Sequence, residues 1–328
     1  MGADRLIDRS EGLPRCSVPC NDTVFCSLSN GLINRNTYNM ELQFHDLKKN
    51  YGKKQALKGI NLTLKPGIYG LLGPNGAGKS TLMNILTGNL KPTAGYITLD
   101  GQDIHTLGEG FRSRLGYCPQ QQTLYPSFTG EQFLYYMASL QGMKKSEAAK
   151  RIDWVLGEVS LLDVRHKAIR SYSGGMKQRL LIAQSILHDP DILILDEPTA
   201  GLDPRQRVAV RNLIGKIALH KIVMISTHVV QDVEYIAGEL ILLNEGNILC
   251  RGTPQQLLEA LHGQMWELTV QENELEQVRQ YGTVCGLAKT EDGICVRLLS
   301  STKPVGSCAA KPDLEDVYLY HFGASEGL

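Results

Sequence analysis

The eight residues Gly73-Pro74-Asn75-Gly76-Ala77-Gly78-Lys79-Ser80, followed by Thr81, have the spacing G-x-x-x-x-G-K-[ST]. Glycines at these positions let successive backbone N–H groups curl round phosphate oxygens, and a helix N-terminus behind them adds partial positive charge. Lys79 would then reach the β- and γ-phosphates of a nucleotide, and the Ser80 hydroxyl would ligate Mg²⁺. Phosphate binding by itself leaves GTPases, kinases and ATPases open, so the residues further along have to discriminate. Ile192-Leu193-Ile194-Leu195-Asp196-Glu197 reads as an apolar strand ending in two carboxylates. Such a strand delivers Asp196 to a sheet edge, where it can hold Mg²⁺ directly or through water, while Glu197 points differently and can polarise an attacking water. Two carboxylates after a strand are in isolation more often caps or solvated charges; the phosphate loop in the same chain reverses that weighting. A third element, Ser171-Tyr172-Ser173-Gly174-Gly175-Met176-Lys177-Gln178-Arg179, opens a helical stretch reaching about residue 187. Small residues at a helix N-terminus expose N–H donors and make a second anion site, although a plain cap by Ser173 explains the same residues. One nucleotide has no use for two such termini, which suits a chain that serves two different nucleotides.

The elements that must position these residues follow from hydrophobic periodicity. Alternation over 40–44 predicts a half-buried strand, followed by a strand at 60–64 and an apolar run at 68–72 that enters the Gly-rich loop and a helix over 80–87. Strands are expected at 95–99 and 114–118. Helical spacing covers 130–140 and 146–159, so residues from about 122 to 189 read as a helical insertion. Strand and helix then alternate as 191–195, 205–219, 221–226 and 231–236, which implies a mostly parallel sheet covered by helices. After a helix ending near 261 the texture changes: a strand at 266–270, a helix at 272–281, strands near 284 and at 295–299, and a closing helix at 314–320. The expectation is an α/β P-loop core over 40–263 and a small α+β accessory domain over 264–328.

With these motifs in hand, the chain resembles the ATPase subunits of ABC transporters over residues 40 to about 260. Gly73 to Thr81 is similar to that family's Walker A, with Gly73, Asn75, Gly76, Gly78, Lys79, Ser80 and Thr81 implied as ATP contacts. Tyr172 to Met176 is similar to its signature, usually Leu-Ser-Gly-Gly-Gln, and Leu193 to Pro198 to its Walker B. Tyr172 and Met176 depart from the commonest signature, but Ser173 and Gly175, the phosphate-facing positions, are retained. The resemblance also implies that Tyr51, in the turn Lys49-Asn50-Tyr51-Gly52, stacks on adenine, and that Gln120 contacts Mg²⁺ and the lytic water. It implies that Asp203 touches an opposite protomer and that His228 bonds the γ-phosphate. Glu197, His228, Gln120 and Lys79 are the catalytic set it implies, with Ser80, Gln120 and Asp196 around Mg²⁺. Leu314 to Leu319 followed by Gly323 resembles the tail of the bacterial exporter branch that serves drugs, peptide antibiotics and cell-surface lipids or polymers; an ordinary amphipathic closing helix is the plainer reading. The expected partners are a transmembrane permease and a second ATPase subunit, identical or paralogous.

Composition bounds these readings. The chain has 328 residues, with 42% hydrophobic and 21% charged, so it can bury a large core. Lys plus Arg and Asp plus Glu both number 34, and this balance argues against nucleic acid or anionic membrane as the main partner. No apolar run is long enough to span a bilayer, and the first 39 residues carry no secretory signal pattern, so the chain is expected in the cytoplasm, peripheral to the inner face of the membrane through its permease. The eight cysteines lack paired C-x-x-C spacing and read as thiols. Residues 1–39 read as a disordered extension, or as sequence upstream of a true start at Met40. A soluble ABC ATPase acting on nucleic acid or ribosomes is the rival reading, disfavoured by the single cassette, the absence of a long coiled coil and the zero net charge. A catalytically dead regulatory binder is disfavoured by Glu197 and His228.

Overall fold

The computed structural model describes residues 40–120 and 124–326, so the expectations about 1–39, including Cys16, Cys20 and Cys26, lie outside the described residues. From the N-terminal side run β1 (Leu42–Tyr51), β2 (Lys54–Leu64), β3 (Gly67–Leu72), α1 (Lys79–Leu86), β4 (Ala94–Leu99), β5 (Gln102–Asp103), α2 (Ile104–Leu107), α3 (Glu109–Arg112) and β6 (Leu115–Cys118). Three longer helices follow: α4 (Gly130–Leu140), α5 (Lys145–Glu158) and α6 (Gly174–Ser185). Alternation resumes with β7 (Ile192–Asp196), α7 (Pro204–Ile217), β8 (Ile222–Thr227), α8 (Gln231–Glu234), β9 (Glu239–Asn244), β10 (Asn247–Gly252) and α9 (Pro254–Glu259). The chain closes with β11 (Met265–Val270), α10 (Leu275–Val278), β12 (Thr283–Thr290), β13 (Gly293–Leu299), β14 (Cys308–Ala309) and α11 (Leu314–Glu326).

A six-stranded sheet of order β10-β9-β3-β8-β7-β6 carries the site, parallel except for the β9–β10 hairpin. Its central strands are apolar on both faces because both faces are covered. Ile192, Ile194, Ile222, Met224, Ile241 and Leu243 pack with α1 and the antiparallel sheet β2-β1-β4-β5. The alternate residues Leu193, Leu195, Val223, Ile225, Leu240 and Leu242 face the helical side, with Leu180, Ala183, Val210 and Ile214. A period of two along each strand thus sorts one continuous apolar run into two cores.

The α/β P-loop fold class agrees with this architecture, with several local differences. The first strand continues to Tyr51, so Tyr51 is the last residue of β1 and the turn lies beyond it. The hairpin β9–β10 was not anticipated from periodicity. Its buried run Glu239–Asn244 turns through Glu245 (φ 44°) and Gly246 (φ 80°), the left-handed pair that a two-residue hairpin turn needs. The expected helix at 272–281 is a single 3₁₀ turn followed by the short α10. The sheet β12-β13-β11-β14 covers Val278 with Leu268, Val296 and Leu298, whereas Leu314, Val317 and Phe322 join Leu257 and Leu261 in the larger core.

Candidate nucleotide site

β3 ends at Leu72 against β8, and the Gly-rich loop leaves the sheet there to enter α1. Two glycines are required by crowding. A β-carbon on Gly73 (φ 156°) would fall 2.1 Å from the Leu243 carbonyl oxygen, and one on Gly78 (φ 111°) 2.7 Å from that of Ala56. Both obstacles are backbone, so neither can swing aside. Asn75, Gly76 and Ser80 are exposed along the loop, and Thr81 is half-buried. The N-cap Gly78 makes no side-chain bond to the first turn of α1, so those N–H groups are left for another acceptor. The buried Lys79 ammonium donates to the carbonyls of Gly73 (2.5 Å) and Pro74 (3.1 Å), which holds it folded over the loop. Burial lowers the Lys79 pKa, and the negative charges of Glu197 and Asp196 oppose that shift.

Those two carboxylates arrive as the sequence predicts, at the end of the fully buried β7. Burial raises the Asp196 pKa; the Ser226 hydroxyl beside it lowers it, the Glu197 charge raises it, and Lys79 lowers it. Asp196 and Ser226 are register partners across β7 and β8, and buried Ser226 Oγ reaches no partner at hydrogen-bonding geometry. A buried hydroxyl outside hydrogen-bonding geometry, beside a carboxylate whose charge burial disfavours, fits the binding of a cation there. Among the described residues no group of three or more His, Cys, Asp and Glu side chains could hold a metal alone. Asp196, with the Ser226 hydroxyl beside it, offers oxygen donors of the kind Mg²⁺ takes, an ion that binds one or two carboxylates and fills its shell with phosphate oxygens and water.

Glu197 follows Asp196 in a left-handed backbone conformation (φ 49°), rare for a residue with a β-carbon. Its N–H donates to the Ser226 carbonyl (2.9 Å), and His228 Nδ1 donates to Glu197 Oε1 (2.8 Å). The carboxyl is buried while the imidazole is half exposed, so the pair spans the boundary between sheet edge and solvent. Such a pair can hold a water or a phosphate oxygen at the open side of the histidine.

Gln120 lies exposed two residues past β6, whose Cys118 is the register partner of Leu195, so it stands at the same edge as Asp196. Its neighbours Gln121 and Gln122 lie outside the described residues. Tyr51 is half exposed at the tip of the β1–β2 hairpin, with Lys49 Nζ 5.3 Å from its ring centroid. The same hairpin brings Ala56 against Gly78, so Tyr51 projects from the strand pair that borders the phosphate loop.

Ser173 N-caps α6, its Oγ accepting from Met176 N–H (3.3 Å), and it is exposed. Gly175 is buried under Gln206, whose side chain lies 2.6 Å from where a β-carbon would stand. Tyr172 fits the helical core because its hydroxyl donates to the Val164 carbonyl (2.9 Å) while its ring is buried. Asp203 caps α7 by accepting from Gln206 N–H (2.8 Å). Among the described residues no hydrogen bond or ion pair joins Ser173 or Gly175 to the phosphate loop of the same chain. Motif spacing pointed to the carboxylates and the family resemblance to the histidine; neither had the means of finding Ser226, Gln206 or the buried Thr199–Asp232 bond, whose partners are far apart in sequence.

A phosphate loop after β3, a carboxylate pair at the end of β7 and, at the end of the β8 strand between them, a histidine bonded to the second carboxylate define a P-loop nucleotide hydrolase. Residues 57–200 match the family described as ABC transporter. The ABC transporter ATP-binding protein YxlF of Bacillus subtilis is 37% identical over 70% of this chain and 77% of its own length. The linearmycin resistance ATP-binding protein LnrL of the same organism is 36% identical over 68% of this chain and 72% of its own length. Among solved structures, an ATP-binding subunit of an ABC transporter superposes with a TM-score of 0.60 at 27% identity, over 67% of this chain and 92% of its own. The dimeric bacterial ABC transporter cassette MJ0796 gives 0.59 at 26% identity, over 65% and 98%. The chain belongs to the ABC transporter family, as an ATP-binding subunit that hydrolyses ATP.

Proposed function

We propose that the chain works as one half of a pair that closes two ATP molecules between the phosphate loop of one subunit and the signature of the other, and that the pair drives a separate membrane permease in export. The observation that carries this reading is the exposed Ser173 at the N-terminus of α6, which among the described residues makes no hydrogen bond to the phosphate loop of its own chain. The dimeric form of MJ0796 supports pairing. Among relatives, LnrL is a resistance protein and another, 37% identical, is a Nod factor export ATP-binding protein of Burkholderia orbicola, which supports export. No described helix is long and apolar enough to cross a membrane, so the membrane step falls to the permease, which would hold this chain at the inner face.

In each site Lys79, the loop N–H groups and Thr81 bind the phosphates and Tyr51 stacks on adenine, while Asp196, Ser80 and Gln120 would hold Mg²⁺, which would neutralise phosphate charge. Glu197 accepts the proton of the attacking water, and His228 orients it and the γ-phosphate. The pairing is tested with Lys79→Ala and Ser173→Arg. In a purified dimer of the two single mutants, both lesions meet at one site and the other is intact, so one normal ATP site returns. A wild-type chain paired with a chain carrying both changes has one lesion in each site and no normal one. The reverse result places both motifs at one nucleotide within one chain and rejects the sandwich.

A further inference from the structure

Among the described residues, one buried polar contact near the nucleotide site is unused by this mechanism. Thr199 Oγ1 donates to Asp232 Oδ2 at 2.5 Å, and both residues are almost wholly buried. Thr199 follows Glu197 by two residues on the segment leaving β7; Asp232 follows His228 by four on the segment leaving β8. The ordinary role of such an aspartate, capping its own helix, is ruled out, because α8 begins after Val230 and receives no side-chain cap. Burying a carboxylate for one hydroxyl partner is costly, so the contact calls for a purpose beyond filling space.

We infer that Thr199 and Asp232 are positioning residues that clamp the Glu197 segment to the His228 segment and so hold the general base in its hydrolytic orientation. The inference rests on the reading of Glu197 as that base. Glu197 occupies a left-handed backbone conformation, which persists only when its surroundings impose it. On its N-terminal side the Glu197 N–H is tied to the Ser226 carbonyl. On its C-terminal side the turn is closed by Ala200 N–H to the Glu197 carbonyl and Leu202 N–H to the Thr199 carbonyl, and Thr199 anchors that turn to α8. Without the anchor the turn is free to relax, and the 2.8 Å contact between Glu197 and His228 is the geometry that relaxation would spoil.

The test uses the full chain with ATP and Mg²⁺, reading kcat, KM and the stoichiometry of ATP binding. Thr199→Val should lower kcat about tenfold or more, the scale of a misplaced catalytic group, with KM for ATP within about twofold of wild type. Thr199→Ser, which keeps the hydroxyl, and Asp232→Asn, which keeps an oxygen acceptor, should stay within about twofold of the wild-type kcat. The double variant Thr199→Val/Asp232→Leu leaves no buried polar group unpaired, so it guards against a trivial loss of folding. It should bind ATP at wild-type stoichiometry and still turn over as slowly as Thr199→Val. Wild-type kcat in the double variant overturns the clamp, and so does a slow Thr199→Ser. Glu197→Gln measured in parallel separates the two readings: if it hydrolyses normally, the base assignment fails and takes the clamp with it. If Glu197→Gln is inactive while the double variant is normal, only the clamp fails.

Discussion

Glu197→Gln isolates proton acceptance from geometry, because the structure shows what the change leaves in place. The backbone bond from Glu197 N–H to the Ser226 carbonyl does not involve the side chain, and a carboxamide oxygen can still accept from His228 Nδ1 where the carboxylate does at 2.8 Å. The charge is what disappears. Glu197 at present raises the pKa of Lys79 and of Asp196. Its removal therefore makes Asp196 easier to ionise, and Lys79 keeps its two carbonyl acceptors and the Asp196 charge. Phosphate and Mg²⁺ binding should survive while the water loses its base. General-base catalysis is worth about 10²- to 10⁴-fold, or roughly 3 to 5 kcal/mol of barrier. Single-turnover hydrolysis should fall by at least about a hundredfold, with ATP still bound and dimers accumulating in size-exclusion chromatography when ATP is present. Hydrolysis within about threefold of wild type, or loss of ATP binding by folded protein, would refute the reasoning.

Asp196→Asn tests the electrostatic cost of the strand end. Burial makes the native state hold the Asp196 proton more tightly than the unfolded chain does. The stability from this group is therefore fully present below the unfolded carboxylate pKa, about 4, and is lost as pH rises through the higher native value. Without nucleotide or Mg²⁺ the asparagine variant should melt above wild type at neutral pH, with the gap closing in acid; calorimetry showing a lower melting point at neutral pH would contradict this. Tyr51→Ala should weaken ATP binding by about 1 kcal/mol, roughly fivefold in Kd, with kcat little changed, and Tyr51→Trp should bind normally in equilibrium titration. A chain stopped after Gly263 loses Leu314, Val317 and Phe322 from the core they share with Leu257 and Leu261. It should melt about 5 °C or more lower yet still bind ATP, and a folded truncation unable to bind would assign a nucleotide contact to 264–328.

Much of the site was legible in the chain because its chemistry is carried by short, contiguous spans. A phosphate loop needs glycines and a lysine within one turn of backbone, and an apolar strand ending in two acids announces which residues reach the sheet edge. The apolar runs at 68–72 and 191–195 and the strand–helix succession after them implied a parallel sheet covered by helices, and β3, β7 and β8 lie largely buried, since such a sheet admits few polar residues. The β9–β10 hairpin was missed although its Glu245-Gly246 turn carried a signal, because one short apolar run reads equally as helix or strand. What the tertiary structure alone decided is the set of contacts between segments that strand order makes neighbours. β8 lies between β3 and β7, and this places Ser226 beside Asp196, His228 against Glu197 and Asp232 beneath Thr199. It also places β9 beside β3, so that the Leu243 carbonyl forbids any side chain at Gly73. Residue types specify a local conformation through their own backbone and side-chain preferences. Contacts across some thirty or more residues depend on how the strands are ordered in the sheet, and that order is chosen by the packing of the whole core.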